Sequence, residues 1–298
     1  MNLLITGAWQ EAKKHIEKIE QMGHAVSFLQ FEKNELPCDY DWVEGIICNG
    51  LFLHHPIEKF TNLRYIQLTS AGFDRVPMEY VKEHNIEIYN ARGVYSIPMA
   101  EFAFAGVLQI YKHMNVFADN QKKCLWNKER NLSELFGKTV CIVGCGSVGT
   151  ECAKRFKAFG CRVVGVDILV RQDDNNYDYM VHLDDIEDVL SNSDVVVLTL
   201  PLTEQTFHII DKDKLDKMKN NSVLVNIARG AVVDTNALVE ALENNKLSGA
   251  VLDVFEEEPL SEENALWTFD NVIVTPHNSF VGDNNSKRLQ SLIFNFLS

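Results

Sequence analysis

Positive charge is what this chain most lacks. Lysine and arginine number 28 against 42 aspartates and glutamates, for a formal net charge of −14 at pH 7. Nucleic acid and anionic membrane both need a basic face, so neither is expected as a partner. Long apolar runs are missing too, and no stretch suffices to cross a bilayer. Met1-Asn2-Leu3-Leu4-Ile5 lacks the basic start of a signal peptide. Cysteines are few, odd in number at seven, and scattered, several of them inside strand-like runs. That excludes a disulfide framework and fits buried thiols in a reducing cytosol, so a cytoplasmic location is expected. His54 and His55 come without further cysteine or carboxylate spacing, so no metal site is expected. Repeats and low-complexity segments are absent. What remains is an ordinary globular composition, 46% apolar and 23% charged. At roughly 150 residues per domain, the length predicts two domains.

The stretch that organises the chain runs from Thr139 to Gly160. Thr139-Val140-Cys141-Ile142-Val143 is β-branched and apolar, and it ends in Gly144-Cys145-Gly146-Ser147-Val148-Gly149. Apolar residues at helical spacing follow, closed by Gly160. Strand, G-x-G-x-x-G turn and helix in that order predict a dinucleotide-binding unit. Gly144 allows the tight turn, Gly146 lets a pyrophosphate approach the backbone, and Gly149 lets helix and strand pack closely. The phosphates would meet the free N–H groups and dipole of the helix N-terminus. The next strand, Cys161 to Val166, ends in Asp167, about twenty residues on, where a carboxylate accepts ribose hydroxyls and repels a 2′-phosphate. Asp167 therefore predicts NAD over NADP, with Arg171 placed to soften that preference. Cys145 has no acid or base beside it in sequence and reads as a packing residue. Thr6-Gly7-Ala8 lacks the second and third glycines of a nucleotide loop and is not read as one.

Strands alternate with helices along the rest of the chain, which predicts parallel α/β sheets. In the N-terminal part strands are predicted at 2–6, 25–31, 45–48, 65–68 and 86–89. Helices are predicted at 11–22 and 56–60. The ends of these strands carry Asn49-Gly50, Ser70-Ala71-Gly72 and Asn90 to Gly93, loops that offer backbone N–H groups at a cleft. Ser96 is read as the N-cap of a helix running toward Asn115, buried between two domains. Residues 119–135 are read as a charged surface arm or helix, and 172–179 as a polar loop. Further strands are predicted at 194–200, 222–227, 248–254 and 272–275, with helices at 184–191, 215–218 and 235–243. Three of these strands lead into a charged or titratable group: Arg229, Glu258 and His277. Neighbouring strand ends converge on one crevice, which Asp167 also lines.

Those three residue types suit one chemistry. A nicotinamide moves a hydride, and the protein has only to orient a substrate and handle one proton. Histidine supplies an acid that works near neutral pH, a neighbouring carboxylate stabilises its protonated form, and an arginine holds a substrate carboxylate in a fork of hydrogen bonds.

Over essentially its whole length the sequence resembles the D-isomer-specific 2-hydroxyacid dehydrogenases, most strongly from Gly137 to His277. The matching motifs are the glycine loop, Leu200-Pro201-Leu202-Thr203-Glu204-Gln205-Thr206 on the adenine side, Asn226-Ile227-Ala228-Arg229-Gly230, Leu252-Asp253-Val254-Phe255-Glu256-Glu257-Glu258-Pro259, and Thr275-Pro276-His277. The resemblance implies that Arg229 binds the substrate carboxylate, Glu258 tunes His277, and His277 donates the proton in reduction. It implies that Asp253 binds the nicotinamide carboxamide. Ser147 and Val148 would donate to the pyrophosphate, Ile227 and Ala228 would contact the nicotinamide side, and Leu200, Pro201 and Thr206 would flank the adenine side. Substrate contacts would come from Asn49, Gly50, Ser70, Ala71, Gly72 and Phe280. After His277 many relatives carry a glycine or alanine two positions on; here Asn278-Ser279-Phe280 follows, and Phe280 would reshape the pocket. Glu256 and Glu257 add surface charge only.

The implied architecture is α/β, with two doubly wound parallel-sheet domains. A flavodoxin-like substrate domain spans 1–95 and is completed by 285–298. An inserted Rossmann NAD-binding domain with its connecting helices spans 96–284 and mediates a homodimer. The implied cofactor is NAD, and the substrate is a small 2-oxo or 2-hydroxy acid. The competing reading is an NADH-binding, redox-sensing interaction protein with little turnover; the short tail and the lack of a disordered extension weigh against it.

Overall fold

Parallel pairing runs through both sheets of the computed structural model, which describes residues 1–171 and 173–297. Gln172, at the start of the predicted 172–179 loop, and Ser298, at the end of the predicted C-terminal segment, lie outside the described residues.

The first five strands are β1 (Asn2–Thr6), β2 (Ala25–Leu29), β3 (Gly45–Cys48), β4 (Tyr65–Leu68) and β5 (Glu87–Tyr89). Helices α1 (Ala12–Gln21) and α2 (Met78–Glu83) lie among them. The sheet order is β2-β1-β3-β4-β5. Leu3, Leu4 and Ile5 are all buried, as an apolar run with both faces covered must be. Successive side chains point to opposite faces, so Leu4 packs with Ile46, Cys48 and Ile66, while Leu3 and Ile5 pack with Trp9, Ile19 and Ile47. The predicted helix at 56–60 is a single 3-10 turn, Ile57–Lys59.

After Tyr95 the chain builds a second unit. It holds α3 (Ser96–Tyr111), α4 (Met114–Lys122), β6 (Thr139–Val143), α5 (Ser147–Ala158), β7 (Arg162–Asp167), β8 (Tyr179–His182), α6 (Ile186–Asn192), β9 (Val195–Leu198), α7 (Lys212–Lys217), β10 (Ser222–Asn226), α8 (Thr235–Glu243), β11 (Leu247–Leu252) and β12 (Val272–Val274). The chain then forms α9 (Asn285–Leu297). By contact density, Met1–Tyr95 with Gly282–Ser298 make one compact unit and Ser96–Val281 the other. In the first unit Leu289, Ile293 and Leu297 of α9 cover the Leu3–Ile5 face.

The second sheet has the order β12-β11-β10-β9-β6-β7-β8. One face, carrying Val143, Val166, Leu198 and Leu224, packs under residues of α6, α7 and α8. The other, carrying Ile142, Val197, Val225 and Val251, packs under α3 and α5. The approach of α3 requires a glycine, since a Cβ on Gly106 would lie 2.7 Å from Val251 Cγ1.

Other elements also differ from the sequence reading, and α2 was not among the predicted helices. The helix expected to run from Ser96 toward Asn115 stops at Tyr111, because His113 takes a left-handed conformation (φ 48°) and α4 starts afresh after it. Strand β8 was not expected. It is an edge strand that pairs with β7 alone and is only partly buried, so it needs no continuous apolar run.

Candidate active site

From β6 the chain runs to β7 on one side of the sheet and to β9 on the other, so the strand order reverses between β6 and β9. The glycine loop follows β6 directly. Gly144 has φ 94°, and a Cβ there would lie 2.6 Å from the Leu200 backbone nitrogen. A Cβ on Gly149 would lie 2.1 Å from Gly144 O, so only glycine lets α5 pack this close to the loop. A Cβ on Gly146 would meet nothing within 4 Å, so the space over that residue is open. Gly146 is the N-cap of α5 and brings no side-chain cap, which leaves the first-turn N–H groups of Ser147 and Val148 to an outside acceptor. The cradle thus has the shape and donors that a pyrophosphate requires.

Asp167 closes the cradle on the β7 side. Its Oδ2 accepts from Cys145 N at 2.6 Å and its Oδ1 from Leu169 N at 3.0 Å. A carboxylate has about four acceptor sites, so two stay open to hydroxyls. Arg171 donates to Cys145 O at 2.6 Å and pairs with Asp174 at 3.2 Å. The Cys145 thiol is buried, and burial pushes it up to about 12, in keeping with a packing role. On the β9 side Thr199 Oγ1 donates to Gly144 O at 2.6 Å. The loop beyond it is closed by Thr206, whose Oγ1 donates to Pro201 O and accepts from Thr203 N, both at 2.7 Å. Leu200 and Thr206 are buried and Pro201 is exposed, so Pro201 is the one of the three with surface to offer.

Strands β10, β11 and β12 are neighbours, with Asn226 opposite Leu252 and Leu252 opposite Val274. Their carboxyl ends therefore lie level, and the loops bearing Arg229, Glu258 and His277 leave from adjacent positions. His277 Nδ1 lies 2.9 Å from Glu258 Oε2. An ionised carboxylate only accepts, so Nδ1 carries the proton and Nε2 is left for proton exchange. Glu258 is held in turn by Phe255 N, which donates to its Oε1 at 3.1 Å. Arg229 is half-buried, and its Nη1 donates to Ala228 O at 2.8 Å. The buried Asn226 staples this loop, donating to Arg229 O at 3.0 Å and accepting from Ala228 N at 3.1 Å. The Phe280 ring stands edge-on to the His277 ring, centroids 6.2 Å apart. Gly230 seats the arginine loop on the glutamate loop: a Cβ there would fall 1.8 Å from Phe255 C.

Several expected contacts take another form. Asp253 is fully buried, so its carboxylate is not open to a carboxamide. Its Oδ1 accepts from Thr275 Oγ1 (2.6 Å) and Asn278 N (2.8 Å), its Oδ2 accepts from Ser279 N (2.9 Å), and its backbone oxygen accepts from His277 N (2.8 Å). It is the anchor of the histidine loop. Asp253→Asn replaces one acceptor oxygen by a donor facing a backbone N–H. Denaturant unfolding should show a loss of about 1–3 kcal/mol. Ile227 and Ala228 are 1% and 6% exposed; they set the position of Arg229 and offer a ligand almost no surface.

Glu256 does more than add charge. It accepts from Thr235 N at 3.0 Å and pairs with His208 Nε2 at 2.9 Å. Burial alone would raise its carboxyl, but the bonds to Thr235 and His208 outweigh that and hold it below the usual range. Sequence carried no signal for this pair.

In the first unit the loops after the strands divide. The Asn49 and Gly50 N–H groups are not free donors, because both are spent on Glu32, each at 2.7 Å. Glu32 also accepts from Thr6 Oγ1 at 2.8 Å. An acid placed there repels an anionic ligand and corrects the expectation for this loop. The Ser70–Gly72 loop is shaped differently: Ala71 O accepts from Asn90 Nδ2 at 2.6 Å and Gly72 O from Ser70 Oγ at 3.2 Å. Its carbonyls are thus turned to protein partners. His55 is a buried loop residue whose ring nitrogens meet Tyr40 OH and Glu32 O, both at 2.9 Å. No cluster of metal ligands occurs among the described residues.

Two family models match the chain. That of the D-isomer specific 2-hydroxyacid dehydrogenase NAD binding domain covers residues 104–279, and that of the catalytic domain covers 5–169. The D-3-phosphoglycerate dehydrogenase of Methanocaldococcus jannaschii is 37% identical over 222 residues, which are 74% of this chain and 42% of that protein. The glyoxylate reductase of Thermofilum pendens is 37% identical over 222 residues, 72% of this chain and 65% of that protein. The match thus spans less than half of the first relative and just under two thirds of the second. Among solved structures, a D-lactate dehydrogenase from Aquifex aeolicus complexed with NAD and lactic acid superposes with a TM-score of 0.81 at 27% identity, covering 99% of this chain and 94% of the other.

Proposed function

Since this chain belongs to the D-isomer specific 2-hydroxyacid dehydrogenase family, we propose that it reduces a 2-oxo acid to the D-2-hydroxy acid with NADH. The observation that carries the reading is the His277–Glu258 pair at 2.9 Å, on a strand end level with the one that bears Arg229. Bound NADH would supply the hydride. His277, with Nδ1 held by Glu258, protonates the carbonyl oxygen from Nε2. Arg229 grips the substrate carboxylate and fixes the carbonyl relative to the imidazole. Phe280 bounds the substrate beside His277. Residues 1–95 with 285–298 act as the substrate domain and 96–284 as the NAD-binding domain. The test is a panel of 2-oxo acids, including glyoxylate, hydroxypyruvate, pyruvate and a phosphorylated member, mixed with NADH and followed by absorbance. Turnover of at least one member is expected. Tight NADH binding with no turnover of any member would sink the reductase and leave the redox-sensor reading.

The carboxylate of Asp167 and its two open acceptor sites favour NADH over NADPH. The ratio of kcat/KM values for the two cofactors should exceed about tenfold, a modest 1.4 kcal/mol, and should fall toward one in Asp167→Ala. A preference for NADPH in the unaltered protein would refute the assignment. A homodimer through the NAD-binding domain is supported by apolar surface on that unit. Trp126 is 95% exposed, and Leu125, Phe136 and Phe159 are exposed as well. Light scattering should give twice the chain mass, and Trp126→Glu with Phe136→Glu should halve it. A cytoplasmic location fits the seven free cysteines. Among the described residues no helix is long and apolar enough to cross a membrane.

A further inference from the structure

We propose that the cleft between the Arg92–Val94 loop and the first turn of α9 binds a phosphate dianion, free or carried on a small metabolite. The cleft lies wholly within the first unit and has a volume of about 480 Å³. Three cations line it, Arg92, Lys287 and Arg288, and no acidic side chain does. In a chain of net charge −14 that grouping runs against the overall balance. Many surface lysines elsewhere are paired, as Lys212 is with Glu240 at 2.5 Å. Here the Arg92 and Lys287 side chains make no hydrogen bond or ion pair with any described residue.

Arg288 is already oriented. Its Nε donates to Val94 O at 2.6 Å and its Nη2 to Asn285 Oδ1 at 2.8 Å, so the guanidinium is fixed before any ligand arrives. Asp283, the nearest acid in sequence, is exposed, accepts from Asn284 Nδ2 at 2.9 Å and does not line the cleft. Lys287 and Arg288 sit in the first turn of α9, where the helix dipole disfavours positive charge. Three mutually repelling cations at the positive end of a helix are an arrangement that an anion relieves. The Arg92 loop also follows the carboxyl end of β5, the edge at which parallel sheets collect ligands. Two guanidinium forks and an ammonium match a tetrahedral dianion better than a single carboxylate. The volume exceeds what phosphate fills, which leaves room for the organic part of an ester.

This site does not depend on the reductase reading, and its test needs neither cofactor nor turnover. Calorimetric titration of the full chain with inorganic phosphate, glycerol 3-phosphate and malonate, at ionic strength matched with potassium chloride, should show one phosphate site. The paired substitution Arg92→Gln with Lys287→Gln should weaken that site by about tenfold or more. Charge reversal of both residues to glutamate should abolish it. Tighter binding of glycerol 3-phosphate than of phosphate identifies an ester as the ligand, and equal binding identifies the free ion. Absence of phosphate binding, equal binding by the glutamine pair, or tighter binding of malonate overturns the proposal. Circular dichroism of the variants separates lost binding from lost folding, and the neutral glutamine pair decides if charge reversal unfolds the protein.

Discussion

His277→Ala should lower kcat by about 10²–10⁴-fold, the range set by removing a general acid. The geometry makes the expectation specific. His277 is held at Nδ1 by Glu258 and at its backbone N–H by Asp253 O. Among the described residues the partners of its ring are Glu258 and Phe280. Alanine therefore removes the proton donor and leaves no substitute in place. Cofactor affinity should be spared, because the glycine loop and Asp167 belong to β6 and β7, while His277 follows β12 at the far edge of the sheet. Steady-state kinetics and a fluorescence titration with NADH on the same sample check both halves. Glu258→Gln should fall between alanine and wild type, since its amide oxygen still accepts from Nδ1 but carries no charge to stabilise an imidazolium. A His277→Ala enzyme with unchanged kcat would remove the histidine from the chemistry.

Gly230→Ala should be comparably damaging although the change is one methyl group. The added Cβ would lie 1.8 Å from Phe255 C, 2.0 Å from Phe255 O and 2.3 Å from Glu256 N. These are backbone atoms, so no rotamer change makes room. The loop of Phe255 to Glu258 must retreat, and Glu258 goes with it, away from His277. The alternative, movement of the Gly230 segment, displaces Arg229. Misplacement of a positioned group by about 1 Å can cost on the order of 100-fold in rate. Overpacking itself costs about 1–3 kcal/mol, occasionally more. Thermal unfolding and kcat measured together should both fall. Gly146→Ala is the contrasting case: its Cβ enters open space, so stability should hold while NADH binding weakens. Wild-type stability and rate in Gly230→Ala would mean that the two loops do not touch.

The architecture was legible because its signals are local. Runs such as Leu3-Leu4-Ile5 and Val195-Val196-Val197-Leu198 are buried on both faces, and only a covered parallel sheet accepts them. The glycine loop was legible for a similar reason. Gly144 needs its left-handed φ, and Gly149 its missing side chain, within a few residues of each other. Asp167 and the Arg229, Glu258 and His277 set were readable as strand-end residues, since each follows its strand by a short step.

What linear pattern left open depends on which loops meet. Residues Glu32 and Asn49 are 17 apart in sequence, and nothing in either segment announces that the carboxylate takes the Asn49 and Gly50 N–H groups. Asp253 belongs to a motif that suggests a ligand contact, yet the fold lays the 275–279 loop over it and uses both its carboxylate oxygens inside the protein. The His208–Glu256 bond spans 48 residues, and the seat of Gly230 on Phe255 is a backbone contact with no side-chain signature. Sequence by itself determined the buried strands of both sheets, the nucleotide loop and the residue types available for chemistry, because burial periodicity and backbone conformation are properties of short segments. Tertiary structure alone decided which of those polar groups remain free to act, because hydrogen-bond capacity is consumed by whichever partner the strand order brings within reach.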